Sequence, residues 1–339
     1  MLNFDESRFR TIQSDALALS EGIRGAVAEL LEDGADNLFF LGAGGAGVLM
    51  QPAAQLIERS CAFPVRLVHA AELMAVGDAN LGAGSIVVIP SLSGTTREAV
   101  DVLAYAQERG AKVIALTGHA DTPVARQADR NFTTFAEDDT SSESFYLQSL
   151  IVALAVVEHA GGRVGDGYAA TVEGLRALPN ALLEAKRAFE PRAREIAASI
   201  QHDDYHVLTA AGPAWTEAWY YGTCILEEMQ WIRTRPIHAA DFFHGTLELV
   251  EREVSVIAFA GEDASRVLVE RVAAFAPQVT DRFLLIDAAE QELPSVPAEI
   301  RRLVPHVVLA TLLERVSAHL EVLRDHPLTT RRYYRRMEY

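Results

Sequence analysis

Residues 85–117 read SIVVIPSLSGTTREAVDVLAYAQERGAKVIALT. An apolar run at 85–90 leads into a hydroxyl-rich loop, an amphipathic stretch follows at 97–109, and a second apolar run fills 112–117. Both apolar runs are continuous where a half-exposed strand would alternate, which is the pattern of strands covered on both faces. With one helix between them, they read as a βαβ unit of a parallel sheet. Upstream the same rhythm places strands at 37–41 and 65–69, with a helix at 48–59. A polar, alanine-rich helical stretch covers 168–202, and the rhythm then resumes with strands at 205–210, 254–259 and 283–286, a helix running to 230 and another starting at 264. The order of elements repeats although the letters do not. The expected fold is therefore α/β, with two tandem domains, each a parallel sheet flanked by helices.

The expected boundaries are an N-terminal helical segment at 1–36, a first domain at 37–165, a helical linker at 166–203, a second domain at 204–323 and a tail at 324–339. A length of 339 residues suits this division, because single cores rarely grow past roughly 250–300 residues. The formal net charge of −17 argues against a nucleic-acid partner, since phosphate neutralisation needs clustered Lys and Arg. The one basic cluster, at 331–336, is short and interrupted by tyrosines, and the first 36 residues are too short and too acidic for a helix-turn-helix segment. Two cysteines, Cys61 and Cys224, offer neither a disulfide framework nor a metal site. No secretory signal is visible, and the most apolar helical stretch, 147–157, is too short to span a bilayer. The expectation is a cytoplasmic protein without a membrane partner. The apolar excess of 147–157 and the cluster of Trp215, Trp219, Tyr220 and Tyr221 predict packing against another chain or domain, hence a homodimer or larger.

Three stretches carry chemistry. In the loop Ser91-Leu92-Ser93-Gly94-Thr95-Thr96 the glycine permits a tight turn and the hydroxyls donate hydrogen bonds. The helix that follows presents unpaired N–H groups at its positive end, so the loop suits a phosphate held without lysine. A plain N-cap would need only one of those hydroxyls. Residues 42–47, GAGGAG, lie between a strand and a helix, with Glu72 near the place of a ribose-binding acid, which matches dinucleotide spacing. Close strand–helix packing, or sugar and phosphate contact by the Gly44 and Gly45 backbone, explains them without a nicotinamide cofactor. The third stretch is 225–250, ILEEMQWIRTRPIHAADFFHGTLELV. Glu228 ends an amphipathic run and His244-Gly245 follows sixteen residues later, across an insert that Pro236 keeps from continuous helix. A carboxylate and an imidazole suit proton shuttling, each worth roughly 10²- to 10⁴-fold in rate. Glu227 points about 100° away from Glu228 on a helix and is expected to meet solvent. His238 and Asp241 lie in the insert, and Ser141-Ser142-Glu143 opens an apolar helix as a cap.

The SxSGxT loop, the tandem halves and the glutamate-then-His-Gly spacing resemble the SIS (sugar isomerase) domain proteins, a group that includes the isomerase half of glucosamine-6-phosphate synthase. Within it, Ala210-Ala211-Gly212-Pro213, the Trp231 segment, Phe243-His244-Gly245 with Leu247-Glu248-Leu249-Val250-Glu251, and the tail from Asp325-His326-Pro327 through Arg331-Arg332-Tyr333-Tyr334 to Met337-Glu338-Tyr339 are similar to the fructoselysine-6-phosphate deglycases and their fructosamine-acid relatives. The resemblance implies cleavage of a 6-phosphorylated fructosamine, with Glu228 as base, His244 as acid or ring-opening group, and Ser91, Ser93, Gly94 and Thr96 around the phosphate. It also implies sugar contacts from Gly44, Gly45, Ser141 and Glu143, a phosphate or carboxylate contact from Arg332, and a His-Gly loop lent by a neighbouring subunit. Two departures stand out. Ala46 occupies the region where many relatives carry a hydroxyl, and Phe259-Ala260-Gly261-Glu262-Asp263 replaces the phosphate loop in the second half, so one phosphate site per chain is expected. The chemistry requires no metal or redox cofactor. Aldose–ketose isomerisation or amino-sugar phosphate deamination would use the same acid–base pair, while a sugar-phosphate sensor or an NAD enzyme are the alternatives of other classes.

Overall fold

The computed structural model describes residues 1–137, 141–334, 336 and 337; Arg335, Glu338 and Tyr339 of the tail lie outside the described residues. The chain divides into two compact units. The first comprises Glu6–Asn180 with Ser295–Ile300, and the second Met1–Asp5, Ala181–Pro294 and Arg301–Tyr339. Each carries a parallel sheet flanked by helices, of five and four strands respectively. The stretch 166–203 divides between them, with the helix Tyr168–Leu175 in the first unit and most of Leu178–Ile200 in the second. Among the described residues no helix is long and apolar enough to cross a membrane.

In the first unit the strands are β1 (Asn37–Gly42), β2 (Val65–His69), β3 (Ser85–Ser91), β4 (Lys112–Thr117) and β5 (Arg130–Thr133), in the order β2-β1-β3-β4-β5. All neighbours run parallel, with Phe40 beside Val88 and Ile89 beside Ala115. Every residue of the central β3 is buried, which is why its sequence is an unbroken apolar run. Phe39, Val87, Ile89, Val113 and Ala115 form one core with Val102, Leu103 and Ala106 of the helix Arg97–Glu108. The helix Ser141–His159 is buried without interruption from Glu143 to Val157 and packs on Glu6–Ala18, Ser20–Glu32 and Gln51–Ser60 of the same unit. The apolar stretch 147–157 thus finds its partners inside its own unit, so it does not by itself argue for a second chain.

The second unit holds β6 (Tyr205–Ala210), β7 (Arg233–His238), β8 (Ser255–Ala260) and β9 (Phe283–Asp287), in the order β7-β6-β8-β9. Its core joins Val207, Val256 and Ala258 to Phe242, Val269 and Val272. The insert around Pro236, which reads as a break between helices, forms the edge strand β7, with Pro236 beside Leu208. An edge position tolerates proline because the missing N–H faces away from the sheet. After β6 the helix Pro213–Tyr220 widens into a π-helical turn, Tyr221–Glu227, and closes with Glu228–Gln230. Trp231 then ends the run in a left-handed conformation, φ 57°. The first residues are tied in by buried charge: the Leu2 N–H donates to Glu190 Oε1 at 2.8 Å, and the fully buried Arg315 donates to the Leu2 carbonyl at 2.8 Å.

Candidate active site

In the first sheet, β1 lies between β2 and β3, so the chain leaves β1 toward one side and returns on the other. The loops after β1 and β3 therefore flank a crevice at the carboxyl edge of the strands, where open α/β sheets bind ligands. Gly44 and Gly45 follow β1, and Ser91, Ser93, Gly94 and Thr96 follow or close β3. The structure brings these six residues to that one edge.

The β3 loop is shaped by Gly94, whose φ is +62° and whose missing Cβ would lie 2.0 Å from Thr122 Oγ1. Ser91 Oγ accepts the Gly94 N–H at 3.2 Å and is buried, so it holds the turn. Ser93 Oγ accepts from the Thr95 N–H at 3.3 Å and from Thr95 Oγ1 at 3.1 Å, and lies 3.5 Å from Thr96 Oγ1. Thr96 is the N-cap residue of Arg97–Glu108, but its side chain makes no capping hydrogen bond among the described residues. A plain N-cap therefore does not account for the loop: the hydroxyls bond to one another, and no side chain among the described residues caps the first turn, whose start suits an anion.

The β1 loop serves two purposes. A Cβ on Gly42 would lie 2.3 Å from Gly47 Cα, so that pair exists for close packing of strand and helix. Gly44, at φ +55°, has no atom of the described residues within 4 Å of its would-be Cβ and is exposed, so its backbone is open to a ligand. Glu72 is exposed in the helix Ala70–Val76. Ser141 and Glu143 open the helix Ser141–His159 and are buried, at 5% and 1% exposure.

Glu228 and His244 both belong to the second unit. The Glu228 side chain is 43% exposed, and its Oε1 accepts from Arg331 Nε at 2.9 Å. Burial pushes the Cys224 thiol up to about 12, reinforced by the charges of Glu228, Glu217 and Glu227, so that thiol stays protonated and inert. Glu227 does not meet solvent as expected; its Oε1 accepts the Thr234 N–H at 2.9 Å and the Thr234 hydroxyl at 2.7 Å. The start of β7 needs an acceptor there, and the wide π turn supplies Glu227. His244 is exposed, with its backbone N–H bonded to the Asp241 carbonyl at 2.9 Å, and Gly245 follows at φ +132°. Glu228 precedes β7 and His244 follows it. The six residues of β7 thus lie between the two groups along the chain. His238 closes β7 with its ring edge-on to Trp215 at 5.5 Å, and burial lowers its pKa. Asp241 is exposed.

Arg332 stacks on Trp231, with 3.9 Å from the guanidinium carbon to the ring centre. Sequence reasoning missed Arg331 as a site residue, because its partner lies 103 positions away. At the corresponding crevice of the second sheet, a Cβ on Gly212 would lie 2.2 Å from Ser265 Oγ. Glu262 pairs with Arg301 at 3.1 Å and Asp263 accepts the Ser265 N–H at 2.9 Å. That crevice is filled by its own side chains, and packing as much as charge disfavours a phosphate in it.

The SIS domain family model matches residues 33–158. The chain is 29% identical to the fructosamine deglycase FrlB of Bacillus subtilis strain 168, over 90% of this chain and 93% of that protein. It is 27% identical to the fructoselysine 6-phosphate deglycase of Escherichia coli K12, over 92% of this chain and 89% of that one. A solved structure of a candidate phosphosugar isomerase from Salmonella typhimurium superposes with a TM-score of 0.87 at 25% identity, covering 94% of this chain and 97% of its own. Residues 33–158 thus match the SIS domain family, and the similarity to these proteins runs along nearly the whole chain.

Proposed function

We propose that the protein is a cofactor-independent phosphosugar deglycase, cleaving the 6-phosphorylated fructosamine of an amino acid to glucose 6-phosphate and the free amine. The main support is the loop 91–96, whose hydroxyls face one another while the first turn of Arg97–Glu108 has no side-chain cap among the described residues. That loop suits a phosphate monoester held by hydroxyls and backbone N–H groups. Similarity to two deglycases over about nine-tenths of the chain supports the choice of a ketosamine over a plain sugar phosphate.

In the reaction Glu228 takes a proton from C1 of the ketosamine, giving an enaminol. Protonation at C2 then yields the aldose imine, and water adds to C1 and releases the amine. His244 opens the sugar ring or returns a proton. Glu228 and His244 flank β7 in the chain, and the proposed site takes His244 from a second copy.

The test is a mass-spectrometric screen of 6-phosphofructosyl amino acids for released amine and glucose 6-phosphate. Release supports the proposal; conversion of fructose 6-phosphate to glucose 6-phosphate with no release from any fructosamine replaces it by isomerisation. In the same preparation glucose 6-phosphate is expected to raise the melting temperature and glucose to leave it unchanged. Equal shifts from both sugars would remove the phosphate site.

A further inference from the structure

The C-terminal tail grips the segment that carries Glu228. Gln230 donates to the His326 carbonyl at 2.7 Å, Arg324 donates to the Gln230 carbonyl at 3.4 Å, and the His326 ring lies edge-on to Trp231 at 4.4 Å. Arg332 covers Trp231. The turn between these contacts is itself fixed, since the Leu328 N–H donates to Glu321 Oε1 at 2.9 Å and the Thr330 N–H to the Pro327 carbonyl at 2.8 Å. Arg331 sits on that turn with its side chain 15% exposed. Its Nη1 donates to the carbonyls of Leu328, at 2.7 Å, and Thr330, at 3.0 Å, while Nε donates to Glu228 Oε1 at 2.9 Å.

An ion pair between two mobile surface groups contributes little. This one differs, because the cation is shielded and its plane is set by two backbone carbonyls before it meets the carboxylate. A guanidinium held in this way dictates the plane of its partner, which an ammonium cannot do.

We infer that Arg331 is a positioning residue for Glu228, holding the carboxylate ionised and in a fixed orientation for proton abstraction. The inference rests on the reading of Glu228 as the base. Among the described residues, the segments packed at Glu228 carry the charged and titratable groups Arg331, Arg332, Arg324, His326 and Glu321 from the tail and its preceding helix, and Glu227 and Cys224 from its own segment. Of these groups, Arg331 donates to the carboxylate. A nearby cation favours the charged form of a carboxylate, so its removal moves the titration of the base to higher pH.

The experiment is the pH dependence of kcat/KM with a substrate found in the screen above, for the intact protein and for Arg331→Gln, Arg331→Lys and Glu228→Gln. Arg331→Gln is expected to lower kcat at least about tenfold with KM changed less than about twofold, and to move the acid limb upward by about half a pH unit or more. Arg331→Lys is expected to keep the limb in place and to recover only part of kcat, since it restores the charge without the planar fork. An acid limb that stays put in Arg331→Gln overturns the inference even if kcat falls, because loosened folding alone would produce that. Should Arg331→Gln not fold, the lysine variant decides: kcat reduced at an unchanged KM and an unchanged melting temperature supports the inference, and full kcat, or a fall in kcat that tracks a fall in melting temperature, overturns it. Glu228→Gln separates the two failures. If it stays active, the base is elsewhere and both readings fall; if it is inactive while Arg331→Gln behaves as the intact protein, only the role of Arg331 falls.

Discussion

Glu227 and Glu228 are sequence neighbours with different surroundings, one bonded to Thr234 at the start of β7 and the other to Arg331 in the tail. Replacing Glu228 by Gln is expected to lower turnover by orders of magnitude with little loss of ligand binding, because the amide keeps the shape and loses the base. Glu227→Gln keeps an acceptor oxygen for Thr234, so turnover should be preserved while stability drops by about 1 kcal/mol. A reversed pattern in kinetics and urea titrations would mean that the two side chains exchange roles. Another single residue to test is His206, fully buried with Nδ1 2.8 Å from Ser255 Oγ. Burial lowers its pKa from 6.5 to about 4, so it is neutral at pH 7 and its approach to Asp203 at 3.8 Å is no ion pair there. Between those values the unfolded chain binds the proton and the folded chain does not. The stability is fully present above pH 6.5 and is lost as pH falls toward 4, by on the order of 3 kcal/mol for this one group. Buried His306, lowered to about 3, acts in the same direction. Melting temperatures from pH 7 to 4 should show a shallower decline for His206→Gln than for the intact protein; parallel curves would assign the acid sensitivity elsewhere. The spacing of 228 and 244 made the proposed acid–base pair a candidate from sequence, whereas Arg331 was not legible, since nothing local marks a contact across 103 positions.

Among the elements, the loop 91–96 and the helix it feeds form the proposed anion site as a unit. Gly94 is its critical position, because φ is +62° and a Cβ would lie 2.0 Å from Thr122 Oγ1. The left-handed conformation alone costs an alanine about 1–2 kcal/mol, and the contact with Thr122 adds to that. Gly94→Ala is therefore expected to lower the melting temperature by several degrees and to abolish the thermal shift from glucose 6-phosphate; a variant with the intact shift would show that the loop does not hold the phosphate. The π turn 221–227 is the element that no periodicity announced. Gly222 makes room for it, as a Cβ there would lie 2.7 Å from Leu208 Cδ1 and 2.9 Å from Thr234 Oγ1. β7 was hidden for a different reason, since Pro236 reads as what interrupts a helix until the segment is known to be a strand at the sheet edge.

At the scale of the molecule, the proposal that His244 comes from a second copy can be tested by subunit exchange. On that proposal, mixing Glu228→Gln with His244→Ala under conditions of subunit exchange should restore activity through mixed dimers with one intact site. No recovery despite verified exchange, or a monomer in light scattering, would confine the chemistry to one chain. The apolar helix Ser141–His159 is satisfied inside its own unit, so the expectation of a second copy rests on the proposed sharing of acid and base.

The class of fold follows from the chain's letters alone, because continuous apolar runs separated by amphipathic stretches have few ways to bury both faces other than a parallel sheet under helices. The placing of the loop at 91–96 between strand and helix follows from them too, and its residue types make it the candidate phosphate loop. Whatever depends on distant partners waited for the folded chain. Folding assigned Gly42 and Gly47 to packing and Gly44 to open backbone, turned Glu227 inward, filled the second crevice with Ser265, and set Arg331 against Glu228. Local pattern records the period of a strand or helix, and those outcomes are set by groups brought close through folding, for which a single sequence carries no spacing to read.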